Sequence, residues 1–251
     1  MAADRFDLTG RRALVTGGGG GLGRGMAAAL AEAGATVALL GRSESVETAA
    51  AELGTPAVAV RADLADRTDL RRGFDDAVEA LGGIDILVTS HGIGRPSDAV
   101  DHELADWDAV IETNLTATFE LCRRAGRIMV DRGSGKIVNI ASITSFQGGY
   151  RVASYAASKG GVALLTMALA NEWARDGVNV NAIAPGYMKT QLNARIWRDD
   201  LERSEQIVAR IPAGRWGEPT DLAGAVVFLS SAASDYVHGV ILPVDGGWLS
   251  R

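Results

Sequence analysis

Short apolar runs and longer helix-patterned stretches take turns along this chain. Arg12–Thr16 (RALVT), Thr36–Leu40 (TVALL), Ala57–Ala62 (AVAVRA), Ile84–Thr89 (IDILVT), Lys136–Ala141 (KIVNIA), Val178–Ala184 (VNVNAIA) and Val240–Val244 (VILPV) are rich in Val, Ile, Leu and Ala. Runs of this kind without strict in–out alternation read as strands buried on both faces, as in a parallel sheet. Helical stretches fall between them, around Leu22–Ala33, Asp69–Leu81, Trp107–Val130, Ser154–Arg175 and Thr220–Ser230. Alternation repeated this often predicts an α/β fold, a three-layer doubly wound parallel sheet in a single domain covering residues 1–251. Right-handed crossovers put every strand C-terminus on one edge, where ligands bind. Residues 187–217 break the rhythm. They are polar, carry Trp197 and Trp216, and are expected to form a substrate lid over that edge.

The first strand runs into the glycine-rich turn TGGGGGLG, Thr16–Gly23. A strand before it and a helix after it are the context in which such a turn cradles a dinucleotide pyrophosphate. Gly17 allows a tight exit from the strand. Gly21 and Gly23 allow close backbone approach, and Leu22 opens a helix whose N-terminus favours anions. An acidic residue at the end of the second strand would grip the ribose hydroxyls of NAD. Gly41-Arg42-Ser43 stands there instead. Arg42 suits a 2′-phosphate, so the expected cofactor is NAD(P)(H), with a weak preference for NADP. Asp63, closing the third strand, is expected either to accept from the adenine amino group or to cap the next segment.

Downstream lie Ser142 and the pair Tyr155 and Lys159. Spacing i, i+4 puts the last two on one helix face, one turn apart. A phenol titrates near pH 10, and a neighbouring ammonium lowers that value, so Tyr155 is a candidate acid–base group. The histidines, His91, His102 and His238, follow no ligand spacing, so no metal site is expected.

These strings together resemble the short-chain dehydrogenase/reductase family over essentially the whole chain. The resemblance rests on TGGGGGLG, Asp63-Leu64, Asn114-Leu115, NIAS at Asn139–Ser142, YAASK at Tyr155–Lys159 and APGYMKT at Ala184–Thr190, in that order. It implies a Rossmann fold and a role for each matching residue. Tyr155 would be the acid–base. Ser142 would polarise the reacting oxygen. Lys159 would lower the Tyr155 pKa and bind the nicotinamide ribose, and Asn114 would hold a water linking Lys159 to solvent. Asp63 and Leu64 would face the adenine, Gly92 would approach the cofactor, and Pro185, Gly186 and Thr190 would flank the nicotinamide. One string departs from the family's Asn-Asn-Ala-Gly: here it is Thr89-Ser90-His91-Gly92. Thr89 and Ser90 can replace part of the lost Asn. His91 reads as a packed loop histidine able to titrate near neutral pH.

The C-terminal half, with NEWARDGVNVNAIAPGYMKT and RIPAGRWGEPTDLAG, is similar to the sugar-acid branch of that family, which works on 2-deoxygluconate, 2-keto-3-deoxygluconate and gluconate types. Such a small-molecule substrate carries a carboxylate, for which Arg95 and Arg151 are candidate partners. Gln147 and Tyr187 are candidates for the sugar hydroxyls. Two alternatives stay open: a reductase of acyl thioesters or other carbonyls, and a non-catalytic dinucleotide sensor. The family likeness also implies a homotetramer built on Trp107–Val130 and Ser154–Arg175, where Gly160, Gly161 and Ala163 allow close approach.

The 251 residues are 47% hydrophobic and 22% charged, with a formal net charge of -6. An acidic chain offers no general attraction to nucleic acid or anionic membrane. The string Arg123-Arg124 with Arg127 reads as a solvated helix face. Cys122 is the single cysteine and reads as a packing residue in a reducing compartment. No apolar run reaches membrane-spanning length and the N-terminus has no signal-peptide core, so a cytoplasmic protein is expected.

Overall fold

The computed structural model describes residues 3–54 and 57–251. Seven parallel strands form one sheet in the order β3-β2-β1-β4-β5-β6-β7. They are β1 (Arg12–Thr16), β2 (Thr36–Gly41), β3 (Ala57–Arg61), β4 (Ile86–Thr89), β5 (Gly135–Ile140), β6 (Val178–Pro185) and β7 (Ile241–Val244). The apolar runs alternate after all, but between two buried faces. Ala13, Val15, Val37, Leu39, Ile86 and Val88 enter one core, and Leu14, Ala38, Leu40 and Leu87 enter the other. That is why the sequence shows continuous hydrophobicity rather than a polar period of two.

The first core packs under α1 (Gly21–Glu32), α2 (Ser45–Leu53) and α9 (Ala223–Ser230) through Met26, Leu30, Val46, Ala49, Val226 and Leu229. The second packs under α3 (Arg67–Leu81), α5 (Ala117–Arg132) and α6 (Ala153–Trp173) through Phe74, Leu121, Ala125, Met129 and Leu169. Asp66 caps α3 by accepting from the backbone of Thr68 and Asp69, so the cap belongs to Asp66 rather than Asp63. The sequence reading passed over α2, whose SVETAAAEL is short but built of good helix formers.

The helical stretch around Trp107–Val130 forms as expected, with a π-turn inside it. α4 (Leu104–Ile111) gives way to a π-turn at Glu112–Thr116 before α5 begins. Asn114 sits in this wide turn and is fully buried. Single π-turns inside helices are frequent at functional sites. Residues 187–217 contain α7 (Ala194–Trp197) and α8 (Leu201–Val208). Ile207, Ile211 and Trp216 join Ile143 and Trp248 in a small cluster of their own. Among the described residues no helix is long and apolar enough to cross a membrane.

Strand order reverses between β1 and β4, where Thr16 and Thr89 pair in register. The crevice outside these two strand ends is where an open α/β sheet binds ligands.

Candidate active site

A cleft of about 1180 Å³ opens at that point, lined by the glycine turn, the ends of β2 and β3, the loop after β4, α4, α6 and residues 190–192. Gly17, Gly21, Leu22, Gly23, Arg42, Asp63, Leu64, Gly92, Arg95, Tyr155, Lys159 and Thr190 all line it. Elements distant in sequence therefore bring most of the expected residues to one cavity.

The glycine turn is shaped to leave room. Gly17 has φ of 64°, and a Cβ there would meet the Ser90 carbonyl oxygen at 2.9 Å. A Cβ at Gly23 would collide with the Gly17 carbonyl. Nothing larger than glycine fits either place. Ser90 lines the same cleft, and its buried hydroxyl has no protein partner. A buried orphan donor beside a backbone cradle suits a polar ligand, so these residues fit a dinucleotide. At the adenosine end, Arg42 is 78% exposed and 3.9 Å from Asp63. The Ser43 and Ser45 hydroxyls lie 2.7 Å apart beside it, and both line the cleft. Hydroxyls flanking Arg42 were a readable signal that the sequence reading left unused. Asp63 accepts from the Ala65 backbone at 3.0 Å while facing the cleft.

Ser142 ends the β5 segment and caps a short 3₁₀ turn, its Oγ accepting from the Thr144 backbone at 3.1 Å. Ser145 in that turn donates to the Lys159 carbonyl at 2.7 Å, so the turn is stitched to α6. Lys159 Nζ donates to the Ile140 carbonyl at 2.6 Å and lies 5.9 Å from the centre of the Tyr155 ring. Burial pushes the Lys159 ammonium down to about 8. Burial also pushes the Tyr155 phenol above its ordinary value, and the Ser142 hydroxyl beside it works the other way. The expected lowering of Tyr155 by Lys159 is not what results: desolvation of the phenolate is the largest effect, and the Ser142 hydroxyl is what opposes it.

Asn114 stands one layer behind. Its Oδ1 accepts from the Ile93 backbone at 2.8 Å, and its Nδ2 donates to the Ile93 carbonyl and to Ser158 Oγ. Ser158 donates in turn to the Tyr155 carbonyl at 2.8 Å. Asn114 thus joins the loop after β4 to the helix carrying Tyr155 and Lys159. At the position of the missing Asn, Thr89 donates to Asn139 Oδ1 at 2.8 Å, whereas the Ser90 hydroxyl, also expected to replace part of it, bonds no protein group. His91 is buried at the edge of the cleft, and burial, reinforced by the Lys159 charge, pushes it down to about 3. It is therefore neutral throughout the ordinary pH range, contrary to the expectation of a titrating loop residue.

The substrate end is assembled less completely. Arg95 lines the cleft and pairs with Asp106 at 3.3 Å. Arg151 lies outside the cleft lining, paired with Asp98 at 3.3 Å, and has φ of 60°, the only positive φ among the described non-glycine residues. Gln147 is exposed on the same loop. Tyr187 is not brought into the main cleft: it packs edge-on against Trp216 and Trp248, 5.4 and 4.8 Å between ring centres. Pro185 is buried as the last residue of β6, and Gly186 packs on Asp245. Elsewhere, Cys122 is buried with its thiol pushed up to about 12, and Arg123 and Arg124 pair with Glu120 and Asp75.

Fold and cleft together define an oxidoreductase that works with a nicotinamide dinucleotide. A family model described as enoyl-(acyl carrier protein) reductase matches residues 18–249. The chain belongs to the short-chain dehydrogenase/reductase family, and is an NAD(P)-dependent enzyme acting on CH–OH groups. It is 47% identical over 254 residues to 2-dehydro-3-deoxy-D-gluconate 5-dehydrogenase of Escherichia coli, covering 100% of both chains. The Bacillus subtilis protein of that name is 48% identical over 250 residues, covering 99% of this chain and 98% of the other. The crystal structure of a gluconate 5-dehydrogenase from Burkholderia cenocepacia, in complex with NADP and tartrate, matches with a TM-score of 0.95 at 43% identity, over 100% of both chains.

Proposed function

We propose that this enzyme interconverts the hydroxyl and ketone of a sugar acid of the 2-dehydro-3-deoxygluconate or gluconate type, with NADP preferred over NAD. The observation that carries the reading is full-length similarity, at 47–48% identity, to enzymes named for such a substrate. Arg95 supports it from the cleft. It is half-exposed, and its pairing with Asp106 is of the weak exposed kind, so a substrate carboxylate can compete for the guanidinium. Arg151 is the second candidate for that carboxylate, after a side-chain swing away from Asp98. Gln147 is left for a sugar hydroxyl. The second reading is reduction of the ketone of a 3-oxoacyl thioester; the family description shares with it only the thioester substrate, since an enoyl reductase reduces a C=C bond.

In the proposed chemistry a bound nicotinamide supplies or accepts the hydride. Tyr155 moves the proton at the reacting oxygen, and Ser142 donates a hydrogen bond to that same oxygen. Lys159, held by the Ile140 carbonyl, keeps positive charge beside the phenol and reaches the ribose. Asn114 positions α6 through Ser158 and holds the water that links Lys159 to solvent. Thr190, Pro185 and Gly186 flank the nicotinamide. Arg42, Ser43 and Ser45 receive the 2′-phosphate, and the absence of a carboxylate at the end of β2 supports this preference. Residues 187–217 act as the lid. A homotetramer is proposed on the outer faces of α5 and α6, where Phe119, Leu164 and Met167 are exposed and Gly160 meets no neighbour.

Initial rates of reduction of 2-keto-3-deoxygluconate, 5-ketogluconate and an acetoacetyl thioester, each with NADH and NADPH, test the reading. Turnover of a keto-sugar acid with NADPH is expected. Turnover of the thioester alone would overturn it.

A further inference from the structure

His91 occupies a position where the family string has a small residue, and it is 7% exposed, edging the cleft while its ring sits between three parts of the site. Nδ1 lies 2.7 Å from Thr16 Oγ1, at the end of β1 and one residue before Gly17. Nε2 lies 3.4 Å from Thr118 Oγ1 at the start of α5, and the Thr113 backbone in the π-turn also accepts from the ring. The partners dictate the tautomer. Thr118 spends its hydrogen on the Asn114 carbonyl at 2.8 Å, so its oxygen faces Nε2 as an acceptor. Nε2 therefore carries the hydrogen, and Nδ1 is the acceptor for the Thr16 hydroxyl. Thr16 Oγ1 accepts in turn from the Ser90 backbone at 3.1 Å. Each ring nitrogen is satisfied by a group of the matching kind.

We infer that His91 is a positioning residue, a neutral strut that sets the dinucleotide turn and the Asn114 π-turn at a fixed distance from each other. One end holds Thr16, and with it the exit of β1 into the turn where Gly17 and Gly23 leave no spare space. The other end holds the π-turn whose Asn114 reaches Ser158 and, through it, the helix of Tyr155. Lys159 on α6 is the charged group that acts on the ring, while β1 and α5 present only hydroxyls to it. A second ring proton would reverse the Thr16 bond, turning that hydroxyl toward the Val88 carbonyl at 3.4 Å, and would meet the ammonium's repulsion, so the strut works in its neutral form.

The inference rests on assigning the cleft to a nicotinamide dinucleotide, and its test separates the two. NADPH binding to the wild-type protein is read first by quenching of tryptophan fluorescence. Absence of binding there would sink the assignment of the cleft and the strut with it. With binding established, two isosteric variants divide the strut. His91→Gln keeps a donor near the Nε2 position and cuts the Thr16 end. His91→Asn keeps an acceptor near the Nδ1 position and cuts the π-turn end. The Gln variant is expected to raise the NADPH Kd about tenfold with kcat within about twofold, the loss of one buried hydrogen bond. The Asn variant is expected to lower kcat about tenfold with Kd within about twofold. Thr16→Val and Thr118→Val cut the same two ends without touching the ring, together with the Thr16 bond to the Ser90 backbone and the Thr118 bond to the Asn114 carbonyl, and should reproduce the Gln and Asn patterns respectively. Parallel loss of Kd and kcat in step with melting temperature would mean simple packing and overturn the proposal. So would two valine variants that leave their own parameter unchanged, whatever the histidine variants do.

Discussion

The two ends of the cleft are built from different materials. At the dinucleotide end, Gly17, Gly23, Thr16, Ser90 and His91 meet through backbone contacts and short side chains, with Thr16, His91 and Gly23 buried. At the substrate end, Arg95, Arg151 and Gln147 reach out on long, half-exposed or exposed side chains from loops. The first construction fixes geometry, because backbone groups and the buried Thr16 and His91 side chains make its contacts. The second permits choice, because each arginine is held only by a screened ion pair with Asp106 or Asp98. The difference teaches where a family of shared chemistry can change its substrate: at the end where exchanging a side chain disturbs little else.

Removing the proposed acid–base phenol lies outside both constructions and is expected to have the largest effect. Tyr155→Phe should lower kcat by about 10²–10⁴-fold while the NADPH Kd stays within about twofold. Retained turnover would move the acid–base role to another residue. At the rigid end, Gly23→Ala places a Cβ against the Gly17 carbonyl, in a spot with no flexible neighbour to yield. A loss of roughly 2–4 kcal/mol in unfolding free energy is expected, together with loss of NADPH binding. Denaturant unfolding and fluorescence titration check both, and an unaffected variant would mean the turn is softer than the contrast requires.

Acid sharpens the same end. His91 falls from the ordinary 6.5 to about 3 in the folded protein. Between those values the folded state holds fewer protons than the unfolded chain, so stability rises with pH across that window and is lost on acidification through it. The slope should reach up to about 1.4 kcal/mol per pH unit, measured by urea unfolding between pH 6.5 and 4. His91→Gln should flatten that slope, and an unchanged slope would assign the acid sensitivity elsewhere. Lys159, moved from 10.5 to about 8, has the same sign in a higher window: stability should rise from pH 8 to 10.5 as the buried ammonium is relieved.

The adaptable end should respond least. Arg95→Ala is expected to raise the KM for a keto-sugar acid about tenfold, with kcat and melting temperature nearly unchanged. A fall in kcat without a change in KM would show that Arg95 shapes the reaction rather than the binding.

The sequence by itself determined a great deal here, and for a physical reason. A strand buried on both faces must be apolar along its whole length, so RALVT, TVALL and IDILVT announced a parallel sheet. Glycine at 17 and 23 and the spacing of Tyr155 and Lys159 carry their geometry in local backbone terms, so a reader of residues finds them. Only the tertiary structure decided the rest. The π-turn at Asn114 left no mark in a run that looks uniformly helical. Tyr187, polar and aromatic, pointed to a sugar, and the structure sets it against Trp216 and Trp248, away from the main cleft. The Tyr155 phenol is raised rather than lowered because desolvation depends on everything packed around it. His91 looked able to titrate, and it is neutral because Thr16, Thr118 and Lys159 come to it from β1, α5 and α6. Local rules act between neighbours in the chain, whereas burial and charge act between neighbours in space.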